Sequence, residues 1–247
     1  MNRLFVGTSF EIPIPKRGFL FIHDKVPKLP LAQTFDPSKH SIDPLRNLTH
    51  RQARDLADVL YTTTPQGENT LTVRNGRRAL APALHVAKRF DLIETDDDEV
   101  QGMKDDLLFL PELRAVLCAE KPIFSFKPHT RIFARIDRAE LGEYSALVLG
   151  LILINHYPGQ IIVPDFGFYG RSAHTNLIRQ DRLIAGVRFL AELPLQLRQA
   201  VLSIKDKTVA GALHEDAELL AKYAGLSPHT NGFQAYVDAA MAALSLE

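Results

Sequence analysis

The sequence predicts an α/β protein: a mainly parallel sheet with helices on both faces and a helical insertion in its first half. Three observations carry this. From Ile123 onward, short apolar strand patterns alternate with helical patterns, the grammar of βαβ units. The stretches Gln160-Ile-Ile-Val163 and Leu147-Val-Leu-Gly-Leu-Ile-Leu-Ile154 are almost wholly apolar, which suits elements covered on both sides. Residues 49–120 carry helical patterning with no strand signal, and this is the insertion. No Gly/Ser-rich linker or internal repeat marks a boundary, so residues 1–247 read as a single α/β domain with 49–120 as an insert or subdomain.

The first 48 residues are rich in proline (Pro13, Pro15, Pro27, Pro30, Pro37, Pro44) and hold one clear strand, 18–24. Thr49 with Gln52 three residues on makes a capping box for a helix over 51–61. Beyond Pro65 and Gly67, Asn69 or Thr70 caps a second helix running toward Arg89, with Pro82 straining its middle. The acidic run from Glu94 to Glu99 stands at the start of the next helix, where the macrodipole favours it. A strand over 131–137, a helix over about 139–157 and a strand over 160–163 come next. Then come a polar helix around 172–179, a strand over 183–190 and a helix over 195–202. A short strand near 209–213 precedes helices over 215–224 and 232–244, the last entered through the turn dipeptide Asn231-Gly232.

Bulk composition narrows the function. Lys plus Arg and Asp plus Glu are 29 each, so net charge is zero and nucleic-acid contact has to come from a local patch. The single cysteine, Cys118, excludes an intramolecular disulfide and a Cys-based zinc site, and its apolar helical setting makes it a core residue. The nine histidines show no H-x-x-x-H spacing, and no G-x-S-x-G elbow occurs. The amino-terminal residues lack the apolar core and cleavage site of a signal peptide. The longest apolar run, 146–154, falls well short of the roughly 20 residues a membrane span needs. The expectation is a soluble protein, cytoplasmic or within a virion, with no membrane partner.

The second half has a distinctive order. A buried helix leads to an apolar strand ending in Asp165, then a polar helix, then Arg182-Leu-Ile-Ala-Gly186 entering another strand. After a further helix and strand comes His214-Glu-Asp-Ala-Glu-Leu-Leu-Ala-Lys-Tyr-Ala-Gly-Leu226. This order resembles the carboxyl-terminal half of the HerA/FtsK superfamily of P-loop ATPases, which includes type IV secretion coupling proteins and viral DNA-packaging ATPases. In the amino-terminal half, Phe19-Leu-Phe-Ile-His-Asp24 is similar to the family's second strand, and the segment from Phe35 to Leu45 to the Asp-Pro-containing stretch beyond it. The resemblance implies a P-loop NTPase-like fold, a ring or shell assembly with protein partners or with itself, and an ATP-driven machine.

The working parts that the family implies are incomplete. No G-x-x-x-x-G-K-[ST] loop exists, and Val6-Gly-Thr-Ser9, without lysine, is its nearest trace. Only 17 residues precede the strand at 18–24, where the family needs a strand, a phosphate loop and a helix. Asp165 stands at the position of the magnesium-binding Walker B aspartate, and Phe166 replaces the water-activating glutamate. The residues by themselves equally describe Asp165 as the start of a turn. Phe166, Phe168 and Tyr169 then pack over the carboxyl edge of the sheet, where an open α/β protein binds its ligand. The Ser/Thr-Gln pair of the sensor strand is replaced near Glu192-Leu193.

Arg179 and Arg182 fall where the family carries an inter-subunit arginine finger; the plainer reading is a solvated helix end beside Asp181. Arg74, Arg77 and Arg78 share one helix face and are the candidates for weak, salt-sensitive nucleic-acid contact, or simply a solvated face. The leading expectation is therefore a non-catalytic P-loop-ATPase-like subunit of a nucleic-acid-handling, packaging or virion assembly, with no catalytic residue, metal or cofactor. Two alternatives stand beside it. One is an active translocating or packaging ATPase, taking ATP and Mg²⁺ at an unrecognised or partner-completed phosphate loop. The other is an α/β protein-binding module.

Overall fold

The computed structural model describes residues 2–9, 11–16, 18–25, 32–63, 70–127, 129–170 and 181–242, excepting the side chains of residues 62, 63, 70–74, 77 and 196. The strands are β1 (Arg3–Val6), β2 (Phe19–His23), β3 (Gln33–Phe35), β4 (Arg131–Arg135), β5 (Gln160–Val163), β6 (Leu183–Val187) and β7 (Asp206–Val209). The α-helices are α1 (His50–Thr63), α2 (Thr70–Val86), α3 (Asp98–Phe109), α4 (Pro111–Leu117), α5 (Arg138–Leu141) and α6 (Glu143–His156). They continue with α7 (Phe166–Gly170), α8 (Leu195–Leu202), α9 (His214–Tyr223) and α10 (Asn231–Met241). The strands form one seven-stranded parallel sheet in the order β3-β4-β2-β5-β6-β1-β7, so the α/β class read from the sequence holds. The chain divides into two compact units, Arg17–Gly159 and Met1–Lys16 with Gln160–Glu247.

In the unit Arg17–Gly159, β4 lies between β3 and β2, with Phe19 opposite Arg131 and Phe35 opposite Ala134. Four of the five β2 residues are buried, as expected of a strand covered on both faces. Phe133 packs edge-on against Phe19 at 5.4 Å and meets Phe21 at 5.3 Å. α6 is buried from Ala146 to Ile154 except at Leu147, which is half-buried, and this explains why its sequence shows no polar stripe. The helix expected over 139–157 is two helices, because Gly142 at φ +79° ends α5 and begins α6.

The remaining helices follow their local signals. Thr49 and Gln52 form the reciprocal capping box: the Gln52 amide donates to Thr49 Oγ1 and the Thr49 amide to Gln52 Oε1. Asp97 caps α3 by accepting from the amides of Glu99 and Val100. α2 runs through Pro82, which stands on an exposed side, so the backbone acceptor it leaves without a helical donor is near water. Cys118 is the residue after α4 and is half-buried, and burial pushes its thiol up.

In the other unit β1 is central, flanked by β6 and β7, with Val6 opposite both Val187 and Val209. β5 pairs the other side of β6, Ile161 opposite Leu183. β6 is buried at all five positions, whereas β7 is half-buried throughout, as an edge strand should be. Arg3 and Asp206 face each other in register and form an ion pair at 2.7 Å on that edge. α9 and α10 close a small core of Ala212, Ala217, Ala221, Phe233, Val237 and Ala240.

Several sequence expectations shift here. β1 and β3 are not legible as strands: one has four residues and the other buries only Phe35. β6 ends at Val187, and the chain turns through a 3-10 helix, Leu190–Glu192, instead of continuing as a strand to 190. β7 lies at Asp206–Val209, three residues before the expected start. The polar helix around 172–179 falls outside the described residues.

One half-buried titratable group links this core to pH. Burial lowers the pKa of His156 below its ordinary value, against the opposing pull of Asp43 and the Pro44 backbone. The unfolded chain therefore takes up this proton first as pH falls. The stability contributed is complete above about 6.5 and is lost as pH drops through the folded pKa. Urea denaturation at pH 7.5 and pH 5 should show lower stability at pH 5, and His156→Gln should narrow that difference.

Candidate functional site

Ligands of open parallel sheets bind beyond the carboxyl ends of the strands, because the backbone donors there have no ladder partner. In the unit containing β1, this edge gathers Gly7-Thr8-Ser9 after β1, Asp165 after β5 and Ala210-Gly211-Ala212 after β7. Only β6 separates β1 from β5, so the two loops start about 10 Å apart.

The donors of the first loop are, however, already engaged. The Gly7 amide donates to the Val187 carbonyl at 3.0 Å, Thr8 to Gly211 at 3.2 Å and Ser9 to Ala210 at 3.2 Å. The Thr8 hydroxyl also donates to the Gly211 carbonyl at 3.2 Å. The amides of Gly211 and Ala212 are in turn held by the carbonyls of Ala242 and Ala240, at the end of α10. Among the described residues 7–9, 11–16 and 18 there is no helix, so the β1 loop does not lead into the helix that completes a phosphate site.

Gly7 is required for this closure. It sits at φ +112°, and a Cβ there would run into the Ala210 carbonyl oxygen. Gly211, at φ +64°, lies against the Thr8 and Ser9 side chains.

Asp165 is partly exposed, and its carbonyl accepts the Phe168 amide at 3.3 Å, which opens the turn of α7. Phe166 is fully buried, with Phe168 and Tyr169 nearly so, their rings edge-on at 5.0 Å. Two glycines let the chain beyond β6 cover this turn closely. A Cβ on Gly167 would strike the Glu192 carboxylate, and one on Gly170 would strike Leu193. Glu192 and Leu193 are thus packing partners of α7.

Asp216, in the His214-Glu-Asp-Ala motif, is a residue whose role the sequence did not disclose. It is buried, and its Oδ2 accepts the Leu190 amide at 2.9 Å. Burial pushes its carboxyl up, against the Leu190 hydrogen bond and the charge of Arg198. Arg198 itself holds the carbonyls of Ala191 and Leu193. The motif therefore ties α9 to the chain leaving β6; its acidic residue followed by alanine was the available signal.

The other candidates are not brought to this edge. Arg182 precedes β6 and gives its carbonyl to the Ile161 amide at 2.8 Å, at the amino end of the strands. Arg179 lies outside the described residues. Arg78 is exposed on α2 in the other unit, and the side chains of Arg74 and Arg77 lie outside the described residues.

The carboxyl ends of β3 and β4 are likewise self-satisfied. Asp36 binds the Ser38 hydroxyl at 2.7 Å and Lys39 at 3.4 Å. Burial would raise its carboxyl, but these partners outweigh it and hold it below the usual value. Arg135 pairs with Asp36, Asp137 and Glu140. Among the described residues no three His, Cys, Asp or Glu side chains gather as a metal site, and no helix is long and apolar enough to cross a membrane.

No protein-family model, curated protein or solved structure matches this chain.

Two pairs of variants test this geometry through denaturation. Gly7→Ala should lose about 2–4 kcal/mol from backbone strain and collision. Gly102→Ala, in α3 with open space at its Cβ, should gain about 0.5–1 kcal/mol. Asp216→Ala should cost about 1–3 kcal/mol by orphaning the Leu190 amide. Asp216→Asn, which keeps an acceptor and removes a buried charge, should cost less at neutral pH.

Proposed function

We propose that this chain is a non-catalytic P-loop-ATPase-like protein of HerA/FtsK type, acting as an accessory or structural subunit of a nucleic-acid-handling, packaging or virion assembly. One observation carries the non-catalytic part. The amides of Gly7, Thr8 and Ser9, at the place of a phosphate loop, donate to the carbonyls of Val187, Gly211 and Ala210. Phosphoryl transfer in this class is positioning and electrostatics, supplied by loop amides, a lysine, Mg²⁺ and a water-orienting group. Here the amides are engaged, the loop has no lysine, and a buried Phe166 stands in the carboxylate's place.

The family-type part is supported by the order of elements. β5 with Asp165 beyond its end, then β6, α8, β7 and α9 with its Glu-Asp-Ala motif follow the order that the resemblance implies, while the polar helix it places around 172–179 lies outside the described residues. The strand β1, with its short loop, ends on the same edge. Without nucleotide chemistry, such a fold works through protein contacts, with copies of itself or with other subunits. Zero net charge lowers the electrostatic barrier to such association. Arg74, Arg77 and Arg78 are the family-independent candidates for a weak nucleic-acid contact, while Arg179 and Arg182 would serve a neighbouring subunit's site.

Titration with a fluorescent ATP analogue, with and without Mg²⁺, should show no saturable binding, and phosphate release should stay at background. Light scattering over a concentration series should show association. Turnover that Asp165→Ala abolishes would overturn the non-catalytic reading in favour of an active ATPase.

A further inference from the structure

The α1–α2 hairpin of the unit Arg17–Gly159 holds a charge cluster that the sheet edge does not use. The first residue of α1 and the last turn of α2 meet through two imidazoles: the rings of His50 and His85 lie 3.8 Å apart and tilted by 33°. His85 Nδ1 bonds the Leu48 carbonyl at 2.8 Å, which fixes the end of α2 against the chain leading into α1. Around this junction stand exposed cations: Arg46 in the preceding turn, Arg51 and Arg54 one turn apart on α1, and Lys88 just beyond α2. Arg78 is seven residues before His85 on α2 and so belongs to the same side of that helix.

The compensating acids are few. Arg51 is 81% exposed and reaches Asp55 only at 4.0 Å. Arg46, Arg54 and Lys88 have no carboxylate within ion-pair distance among the described residues. The nearby Arg89 is neutralised by Asp91 at 2.8 Å, and Glu94 lies across a groove from Lys88. The other titratable groups of the neighbourhood are Asp43, which faces His156, and Asp58 on α1. A protein with zero net charge thus concentrates four to five cations and two imidazoles at one end of a hairpin.

We infer that this end of the hairpin, formed by Arg46, Arg51, Arg54, Lys88 and the His50–His85 pair, is a binding surface for the phosphate backbone of nucleic acid. Guanidinium groups dominate it, and their paired donors match phosphate oxygens better than an ammonium does. The surface deepens the proposed role in a nucleic-acid-handling assembly, but it rests on its own charges and not on the ATPase likeness.

The test is fluorescence anisotropy of the full chain with labelled duplex and single-stranded DNA, over a salt series at neutral pH. At about 0.1 M salt the dissociation constant should fall in the micromolar range. The logarithmic salt slope should be about 3–4, dropping by about 1 for each of Arg46→Ala, Arg51→Ala and Arg54→Ala. These side chains are exposed, so thermal melts of the variants should match the parent, and Lys205→Ala, on the other unit, should leave binding unchanged. Absence of saturable binding, or binding that the arginine variants do not alter, overturns the proposal. So does tighter binding to phosphatidylserine-containing vesicles than to DNA, which would make the surface a membrane contact. ATP hydrolysis by the same preparation would sink the non-catalytic reading and leave this surface standing.

Discussion

The carboxyl edge of a parallel sheet confronts every chain with the same constraint. Backbone amides just past the last ladder bond must find an acceptor, either a ligand or the protein itself. Here the chain supplies it. Carbonyls at the end of α10 hold the amides of Gly211 and Ala212, the carbonyls of Ala210 and Gly211 hold Ser9 and Thr8, and Val187 holds Gly7. These bonds connect the ends of β1, β6, β7 and α10 into one relay. Each link sets the next, since the loop after β1 can close only if the loop after β7 turns back toward it. Gly7 and Gly211 make that turn sterically accessible by adopting positive φ.

The rest of this edge is consistent with the same closure. α7 is short and wholly buried, and the side chains of Glu192 and Leu193, in the segment after β6, lie against Gly167 and Gly170, so a Cβ at either position would have to displace them. Asp216 and Arg198 then fix that segment, one through the Leu190 amide and the other through the carbonyls of Ala191 and Leu193. The aromatic side chains of α7, Phe166, Phe168 and Tyr169, are buried beneath this segment.

Within the unit Arg17–Gly159, charge is arranged in two contrasting ways. At the ends of β3 and β4 the ionic groups neutralise one another, as Arg135 does with Asp36, Asp137 and Glu140. At the α1–α2 junction cations outnumber the acids that reach them, which leaves a local positive field. A zero formal net charge conceals this, because a sum over the chain contains no information about where the charges sit.

Elements with strong local signals were readable from the chain alone. The capping box of Thr49 and Gln52, the apolar α6, the buried strands β2, β5 and β6, and the helices α8 to α10 all come from patterning and caps, which act within a few residues. β1 and β3 escaped because a strand of three or four residues is defined by its neighbours in the sheet rather than by its own sequence. The sequence by itself thus determined the α/β class and the absence of a G-x-x-x-x-G-K-[ST] motif. Only the tertiary structure decided that the amides of Gly7, Thr8 and Ser9 are taken by carbonyls roughly 180 to 200 residues away, and that His50 meets His85. Those are long-range pairings, and no local propensity encodes which distant carbonyl a donor will find.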